Sequence, residues 1–205
     1  MRKELVIALR VTLVTLVLTG LIYPLVTTGL AGALFPHRAA GSFLTDESGR
    51  VVGSELIGQG FTATGYFHPR PSAAGKDGWD ATSSSGTNLG PTSKKLREST
   101  AEALQKLQAE NPGSAGLPPV ELVTSSASGL DPHLSPAGAL WQVPRVARAR
   151  QVSEERVRAL VQSQLERRDL IVLGEPRVNV LLLNLALDRQ FGALDRSGKS
   201  AIRAP

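Results

Sequence analysis

The stretch from Val123 to Pro136 reads Val-Thr-Ser-Ser-Ala-Ser-Gly-Leu-Asp-Pro-His-Leu-Ser-Pro, and these residue types could hold an anion. Val120 to Thr124 has the composition of a short strand. Ser125-Ser126-Ala127-Ser128-Gly129 is a turn of small residues. Two helix-start signals follow, Asp131-Pro132 and Ser135-Pro136, each a cap residue ahead of a proline suited to the first helical position. Free backbone N–H groups at a helix N-terminus attract negative charge, and Ser or Gly lets a phosphate come close. No Gly-Lys-Ser or Gly-Lys-Thr follows the turn, so it is not a Walker-type phosphate loop. The same residues would also make a tight turn that only caps its own helix, which is the plainer reading.

Three histidines, His37, His68 and His133, are the other candidates. A metal site would need two of them to converge with Asp80 or Asp131, and no pair has helical ligand spacing. A serine hydrolase would pair a serine with His68 or His133, but the Gly-x-Ser-x-Gly elbow does not occur. Cysteine is absent, which excludes disulfides, thiolate metal sites and cysteine nucleophiles. The net charge of +5 comes from 23 Lys and Arg against 18 Asp and Glu. These charges are interspersed, and aromatic residues make up only 4% of the chain. Both facts argue against nucleic-acid binding, which needs a basic stripe and stacking platforms.

The elements that must position these residues begin with a membrane segment. Val11 to Phe35 carries no charged side chain. As a helix it would measure roughly 37 Å, enough to cross a bilayer core of about 30 Å with tilt. Ala31-Gly32-Ala33 has the small-x-small form of a signal cleavage site, but the run is much longer than a signal h-region, so a retained anchor is expected. Arg2, Lys3 and Arg10 precede the run, and Arg38 is the nearest charge after it. That bias places residues 1–10 in the cytoplasm, 11–35 in the membrane and 36–205 outside. Thr12, Thr15, Thr19 and Gly20 would let a partner helix approach closely, although threonine facing lipid can also bond back to its own helix. Pro24 predicts a kink.

The remainder reads as one α+β domain with a small mixed sheet and about three helices. Asp46-Glu47-Ser48-Gly49 predicts a hairpin turn. Residues 72–91, rich in Ser, Gly, Ala, Thr and Asp, form a long loop, ordered or flexible. Thr92 or Ser93 caps a helix with the stripe Leu96, Thr100, Ala103, Leu104 and Leu107. Ser135 or Asp131 starts a second, which Pro144 should interrupt, with Arg145 to Arg150 continuing at an angle. Ser153 caps a third, with Val157, Leu160, Val161 and Leu165 on one face and Arg167 and Arg168 at its negative end. Leu170 to Leu173 is strand-like, and Val178 to Leu187 is an apolar run best fitted by a buried strand. The tail from Ser197 is expected to fray.

Taken in order, several of these segments resemble a known family. They are the single N-terminal span, Tyr66-Phe67-His68-Pro69-Arg70-Pro71-Ser72-Ala73, Asn88-Leu89-Gly90-Pro91-Thr92, the stretch Leu122 to His133, Trp141-Gln142-Val143-Pro144-Arg145-Val146-Ala147, and Val178-Asn179-Val180-Leu181 with Leu183-Asn184-Leu185-Ala186-Leu187-Asp188. The chain is similar in these to the C subunits of Kdp-type potassium-transporting P-type ATPases of bacteria and archaea. Ser84-Ser85-Gly86-Thr87 and Trp79 depart from the family's usual Ser-Gly-Gly-Ser-like stretch and Tyr. The resemblance implies an accessory subunit in the cytoplasmic membrane. Its partners would be a channel-like potassium-binding subunit and a P-type pump subunit that hydrolyses ATP, besides membrane lipid. It implies a catalytic chaperone that raises the pump's affinity for ATP. Ser125, Ser126, Ser128, Gly129 and Gln142 would then be the ATP-binding positions, through likeness to the signature loop of ABC transporters. The chain lacks an Asp-Lys-Thr-Gly-Thr phosphorylation motif, so it should not hydrolyse ATP alone. An extracytoplasmic domain would instead brace the potassium entrance and stabilise assembly. The alternatives are a membrane-anchored extracytoplasmic hydrolase or an envelope-binding module.

Overall fold

A computed structural model describes residues 1–46, 49–76 and 78–194. The centre of the Asp46–Gly49 turn and the tail from Ser197 lie outside the described residues. The chain divides into two compact units, Met1–Ser54 and Glu55 onward.

In the first unit, helix α1 (Arg2–Val17) passes through a π-helical turn at Leu18–Ile22 into α2 (Tyr23–Leu34). The whole is a helix of 33 residues, long and apolar enough to cross a membrane, and none of its span is buried. It begins nine residues before Val11, so the expected span is the apolar part of a longer helix. The π turn sits just ahead of Pro24, whose missing N–H and ring disturb the ladder one turn back. A short helix α3 (Pro36–Ala39) follows, then the antiparallel hairpin β1 (Phe43–Thr45) and β2 (Val51–Ser54). Asp46 closes the predicted turn: its N–H donates to Arg50 O at 2.9 Å, and its carboxylate accepts from Arg50 N at 3.0 Å.

The second unit is α+β, as expected. Four long helices, α4 (Lys94–Glu110), α5 (Pro136–Arg150), α6 (Glu154–Ser163) and α7 (Val180–Phe191), accompany an antiparallel sheet. Its strands β3 (His133–Leu134), β4 (Leu165–Glu166) and β5 (Arg177–Asn179) take the order β3-β5-β4. Serine caps start three of the helices, because a serine hydroxyl can accept from the otherwise unpaired N–H groups of a first turn. Ser93 accepts from Leu96 N, Ser135 from Gly138 N and Ser153 from Arg156 N. The core joins Phe67, Leu134, Val143, Val146, Val157, Val161, Val178, Leu183 and Leu187, all buried. Helix α4 contributes only half-buried residues along its predicted stripe.

Several local expectations are corrected. Val178 to Leu187 is a strand only to Asn179, whose side chain accepts from Leu182 N at 3.2 Å and starts α7. Burial at Val180, Leu183, Asn184, Leu187 and Phe191 follows a helical period, which a run of near-uniform leucine conceals. Val120 to Thr124 is no strand but a 3-10 turn (Val120–Leu122). Leu122 N and Val123 N bond to carbonyls three residues back, on a chain entering from Pro119. Asp131-Pro132 starts no helix; Pro132 O accepts from Val180 N at 2.9 Å and the chain runs into β3. Pro144 does not interrupt α5, which stays helical while burying residues on both sides of it. Helix α6 ends at Ser163, so Leu165 lies on β4 and Arg167 and Arg168 lie beyond the helix end. Leu170 to Leu173 forms a turn closed by a bridge between Asp169 and Leu173.

Asn184 tests the logic of this core. Its Oδ1 accepts from Phe67 N at 2.9 Å and its Nδ2 donates to Phe67 O at 3.0 Å, all buried. Asn184→Ala leaves two buried peptide groups unpaired and is expected to cost roughly 2–5 kcal/mol. Leu104→Ala, on half-buried α4, should cost less. Denaturant unfolding of the full chain in detergent measures both; an equal or smaller loss for Asn184→Ala would refute the assignment.

Candidate functional site

The small-residue turn is built by its own hydroxyls. Gly129 N donates to Ser126 Oγ at 2.9 Å and Leu130 N donates to Ser128 Oγ at 3.1 Å. The two hydroxyls lie 3.2 Å apart. From the loop 72–91, read above as ordered or flexible, Ser72, Ser84 and Ser85 bond to the turn. Ser72 Oγ donates to Gly129 O at 2.5 Å, Ser85 N donates to Ser128 O at 2.9 Å, and Ser84 Oγ donates to the same carbonyl at 3.0 Å. Gly129 has φ +68°, and a Cβ there would stand 2.5 Å from Ser85 O and 2.7 Å from Ala74 N. Only glycine fits that approach. Ser125 is half-buried beside the turn, with no hydrogen-bond partner for its hydroxyl among the described residues.

An open cleft of about 690 Å³ borders the turn, lined by Ser84, Ser126, Ala127 and Ser128 together with Leu56 and Asp131. No Lys or Arg lines it. Burial works against an ionised Asp131, but hydrogen bonds from His133 and Arg70 outweigh it and hold the carboxyl below its usual range. Asp131 is therefore ionised, and Arg70 pairs with it at 3.1 Å. The start of α5 is likewise filled. The Glu121 carboxylate accepts from Ser135 N at 3.1 and 3.2 Å and from Ser135 Oγ at 2.6 Å. The anion predicted from the sequence at this helix end is supplied by the chain itself.

Gln142, grouped with the turn by resemblance, is bound elsewhere. It is buried on α5, where Oε1 accepts from His68 N at 2.8 Å and from Arg145 at 2.6 Å. Its Nε2 donates to His68 O at 2.9 Å. Arg145, buried beside it, donates to Thr64 O at 2.5 Å, Tyr66 O at 2.8 Å and Asn111 Oδ1 at 2.8 Å. Burial lowers its pKa to about 10, with Glu110 opposing, so it stays charged at neutral pH. One turn and a half on, buried Arg150 donates to Gly65 O at 2.7 Å, Gly192 O at 2.8 Å and Asp188 at 2.8 Å. Its guanidinium lies over the Tyr66 ring at 4.8 Å. Neither arginine was singled out from the sequence. The available signal was their place on the same helix as a buried apolar face.

His68 lines a second groove, of about 310 Å³, with Trp79, Arg70, Lys106 and Glu110. Burial, then the charge of Arg145, lowers its pKa to about 4. It is neutral at pH 7, so the 3.9 Å approach of Glu110 to its Nδ1 is not an ion pair there. His133 instead faces Asp131 at 3.6 Å and Glu166 at 4.0 Å. Neither imidazole has a serine hydroxyl as partner, and no group of three metal-ligating side chains converges, among the described residues. On the apolar helix, Thr15 bonds to Val11 O and Thr19 donates to Thr15 O at 2.8 Å, so both hydroxyls are satisfied within the helix itself. Thr12 and Gly20 are exposed on the same helix. A Cβ at Gly20 would meet only Leu16 at 3.6 Å, so the helix itself does not require glycine there.

Two outcomes follow. Gly129→Ala should cost about 2 kcal/mol and expose residues 72–86 to protease, while Ser126→Ala should cost only about 1 kcal/mol; equal protease resistance in all three proteins would contradict the closed turn. For His68, the folded-state pKa is below the free value, so the folded protein binds fewer protons between pH 4 and 6.5. Its stabilising contribution is full above pH 6.5 and falls by roughly 3 kcal/mol toward pH 4. His68→Gln should flatten that part of the stability–pH curve, measured by thermal melts of the full chain in detergent; an unchanged slope would contradict a neutral His68.

The comparisons agree with this architecture across its length. The family model described as KdpC, K+-transporting ATPase, c chain, matches residues 5–189. A potassium-transporting ATPase KdpC subunit of Myxococcus xanthus is 66% identical over 187 residues, covering 91% of this chain and 88% of the relative. KdpC subunits of Rhodopseudomonas palustris and Methylobacterium nodulans are 54% and 51% identical, covering 92% and 94% of this chain and 98% of each relative. The match takes in the apolar helix, the closed turn and the α5 network alike, and the chain belongs to the KdpC family of K+-transporting ATPase subunits.

Proposed function

We propose that the chain is a non-catalytic accessory subunit, bound in the bacterial inner membrane. Its partners are the channel-like potassium-binding subunit and the P-type ATPase subunit of the same complex. In this reading it promotes ATP binding and hydrolysis by the pump through assembly, not by touching the nucleotide. The charges Arg2, Lys3 and Arg10 before the apolar helix keep its N-terminus in the cytoplasm and its C-terminal unit outside. The helix docks among partner helices through the face bearing Thr12, Thr15 and Thr19, with Gly20 beside it.

One observation carries the choice of mechanism. The groups that would cradle a phosphate are already bonded within the chain: Gly129 N and Leu130 N to serine hydroxyls, and the α5 start to Glu121. No Lys or Arg lines the adjoining cleft, and its Asp131 is already paired with Arg70 at 3.1 Å. A triphosphate at this turn would meet carboxylates and few free donors. The turn keeps its shape through bonds of its own, without a ligand.

The substitution Ala127→Cys, at an exposed position of the turn, tests this in intact cells carrying the whole complex. Labelling by a membrane-impermeant reagent is expected. In the purified complex, Ser126→Ala with Ser128→Ala should leave the ATP concentration for half-maximal activity unchanged, whereas omission of the chain should abolish potassium-stimulated activity. Protection of the introduced thiol until lysis, joined to a weakened ATP response in the double variant, would favour direct contact with ATP and overturn the reading.

A further inference from the structure

The hairpin between β4 and β5 ends in Leu170-Ile171-Val172-Leu173. These side chains are 83%, 88%, 71% and 57% exposed. Outside the helix Arg2–Leu34, the other exposed large apolar residues among those described do not form such a run. Scattered apolar residues at a surface are ordinary, but a contiguous run marks a contact.

The loop is held shut. Asp169 and Leu173 exchange backbone hydrogen bonds of 2.9 and 2.8 Å. Arg168 binds Glu175 at 2.7 Å, and Arg177 reaches Glu166 at 2.9 Å and Asp169 at 3.4 Å. These pairs tie the two sides of the hairpin base together. Leu170 and Ile171 have φ of 49° and 72°, where a β-branched side chain is strained. A loop that only had to turn would carry Gly or Asn there. Here the strained backbone presents aliphatic side chains outward instead. Exposed Arg167, at the rim, has no carboxylate partner among the described residues.

The size and chemistry of the tip select its occupant. Four side chains offer on the order of a few hundred Å². A stable protein interface takes roughly 800 Å² from each partner and is anchored by Trp, Tyr or Arg rather than Leu and Val. A bilayer asks for neither. It takes aliphatic side chains, and its headgroup phosphates accept a cation at the rim. The chain is already tied to a membrane by its apolar helix, so insertion is an intramolecular step and a small contact suffices. The link from Phe35 to Ser54 cannot exceed roughly 70 Å even if fully extended. We infer that the tip Leu170–Leu173 enters the interfacial layer of the bilayer that holds the N-terminal helix, with Arg167 at the level of the lipid phosphates. This contact is independent of how the chain affects the pump.

The absence of cysteine makes the test direct. Ile171→Cys or Val172→Cys would carry one environment-sensitive fluorophore in the full chain, reconstituted in vesicles of phosphatidylethanolamine and phosphatidylglycerol. Gln108→Cys, on the exposed face of α4, is the control. Brominated lipid should quench the labels at 171 and 172 and aqueous iodide should not, with the reverse at 108. Leu170→Ser with Leu173→Ser should return the label at 171 to iodide. Labels at both positions as open to iodide as the control would overturn the inference. So would protection that appears only with partner subunits present or only at high protein density, which would assign the tip to a protein partner or a second copy.

Discussion

The second unit depends on one constraint: the segment from Thr64 to His68, which leaves the Ala63–Tyr66 turn and enters the core at Phe67, has no strand beside it. Its peptide groups are nevertheless taken out of water, since Phe67 is fully buried. Unpaired buried peptide groups would cost about 1–3 kcal/mol each. The chain meets this with side chains instead of a ladder. Arg145 takes the carbonyls of Thr64 and Tyr66, and Arg150 takes that of Gly65. Asn184 takes both polar groups of Phe67, and Gln142 both of His68. Four side chains from two helices thus imitate a neighbouring strand. The segment in turn fixes the spacing of α5 and α7.

This explains why two arginines stay buried in a small core. Desolvating a guanidinium is costly, and Arg145 has neutral acceptors as its direct partners. Arginine alone offers five donors in a fixed fork, so one side chain can satisfy several carbonyls at different points of a strand. Lysine would reach fewer of them. The depressed pKa of His68 belongs to the same arrangement: burial first, then the charge of Arg145, keeps the imidazole neutral at pH 7. The segment continues through Pro69 to Ser72, whose hydroxyl binds Gly129. The α5–α7 network is thereby coupled through the backbone to the closed turn.

What the sequence revealed divides by range. Helix starts were legible, because a cap is a contact across three residues: Ser93, Ser135 and Ser153 all act as read. The hairpin Phe43–Ser54 and the apolar helix were legible from local pattern as well. The fate of Val180 to Phe191 was not. Its leucines fit either period, and the polar residue that decides it, Asn184, has its partner 117 positions away. Arg145 and Arg150 were read only as part of the helix after Pro144, because their acceptors include backbone carbonyls, which carry no sequence signature. The turn at Ser125–Gly129 was located correctly, but not that Glu121 and residues 72–86 would consume its binding capacity. A motif gives residue types; whether their lone pairs and protons are free depends on what folds over them.

That distinction bears on function. In a family of subunits belonging to an ATP-driven pump, a Ser-Gly turn ahead of a helix invites a nucleotide reading. Yet a phosphate cradle must keep its donors unpaired and its field positive until the ligand arrives. Here the Gly129 and Leu130 N–H groups are spent on internal bonds, the helix end holds a carboxylate, and no Lys or Arg lines the cleft. Opening the turn would break the Ser72, Ser84 and Ser85 bonds to Ser128 and Gly129 together, so nucleotide binding would have to offset all of them. The same rigidity suits a surface that another protein reads by shape, because a pre-ordered loop loses little entropy on docking. The turn's bonded groups are committed within the chain, and Ser72 ties the turn to the segment behind it.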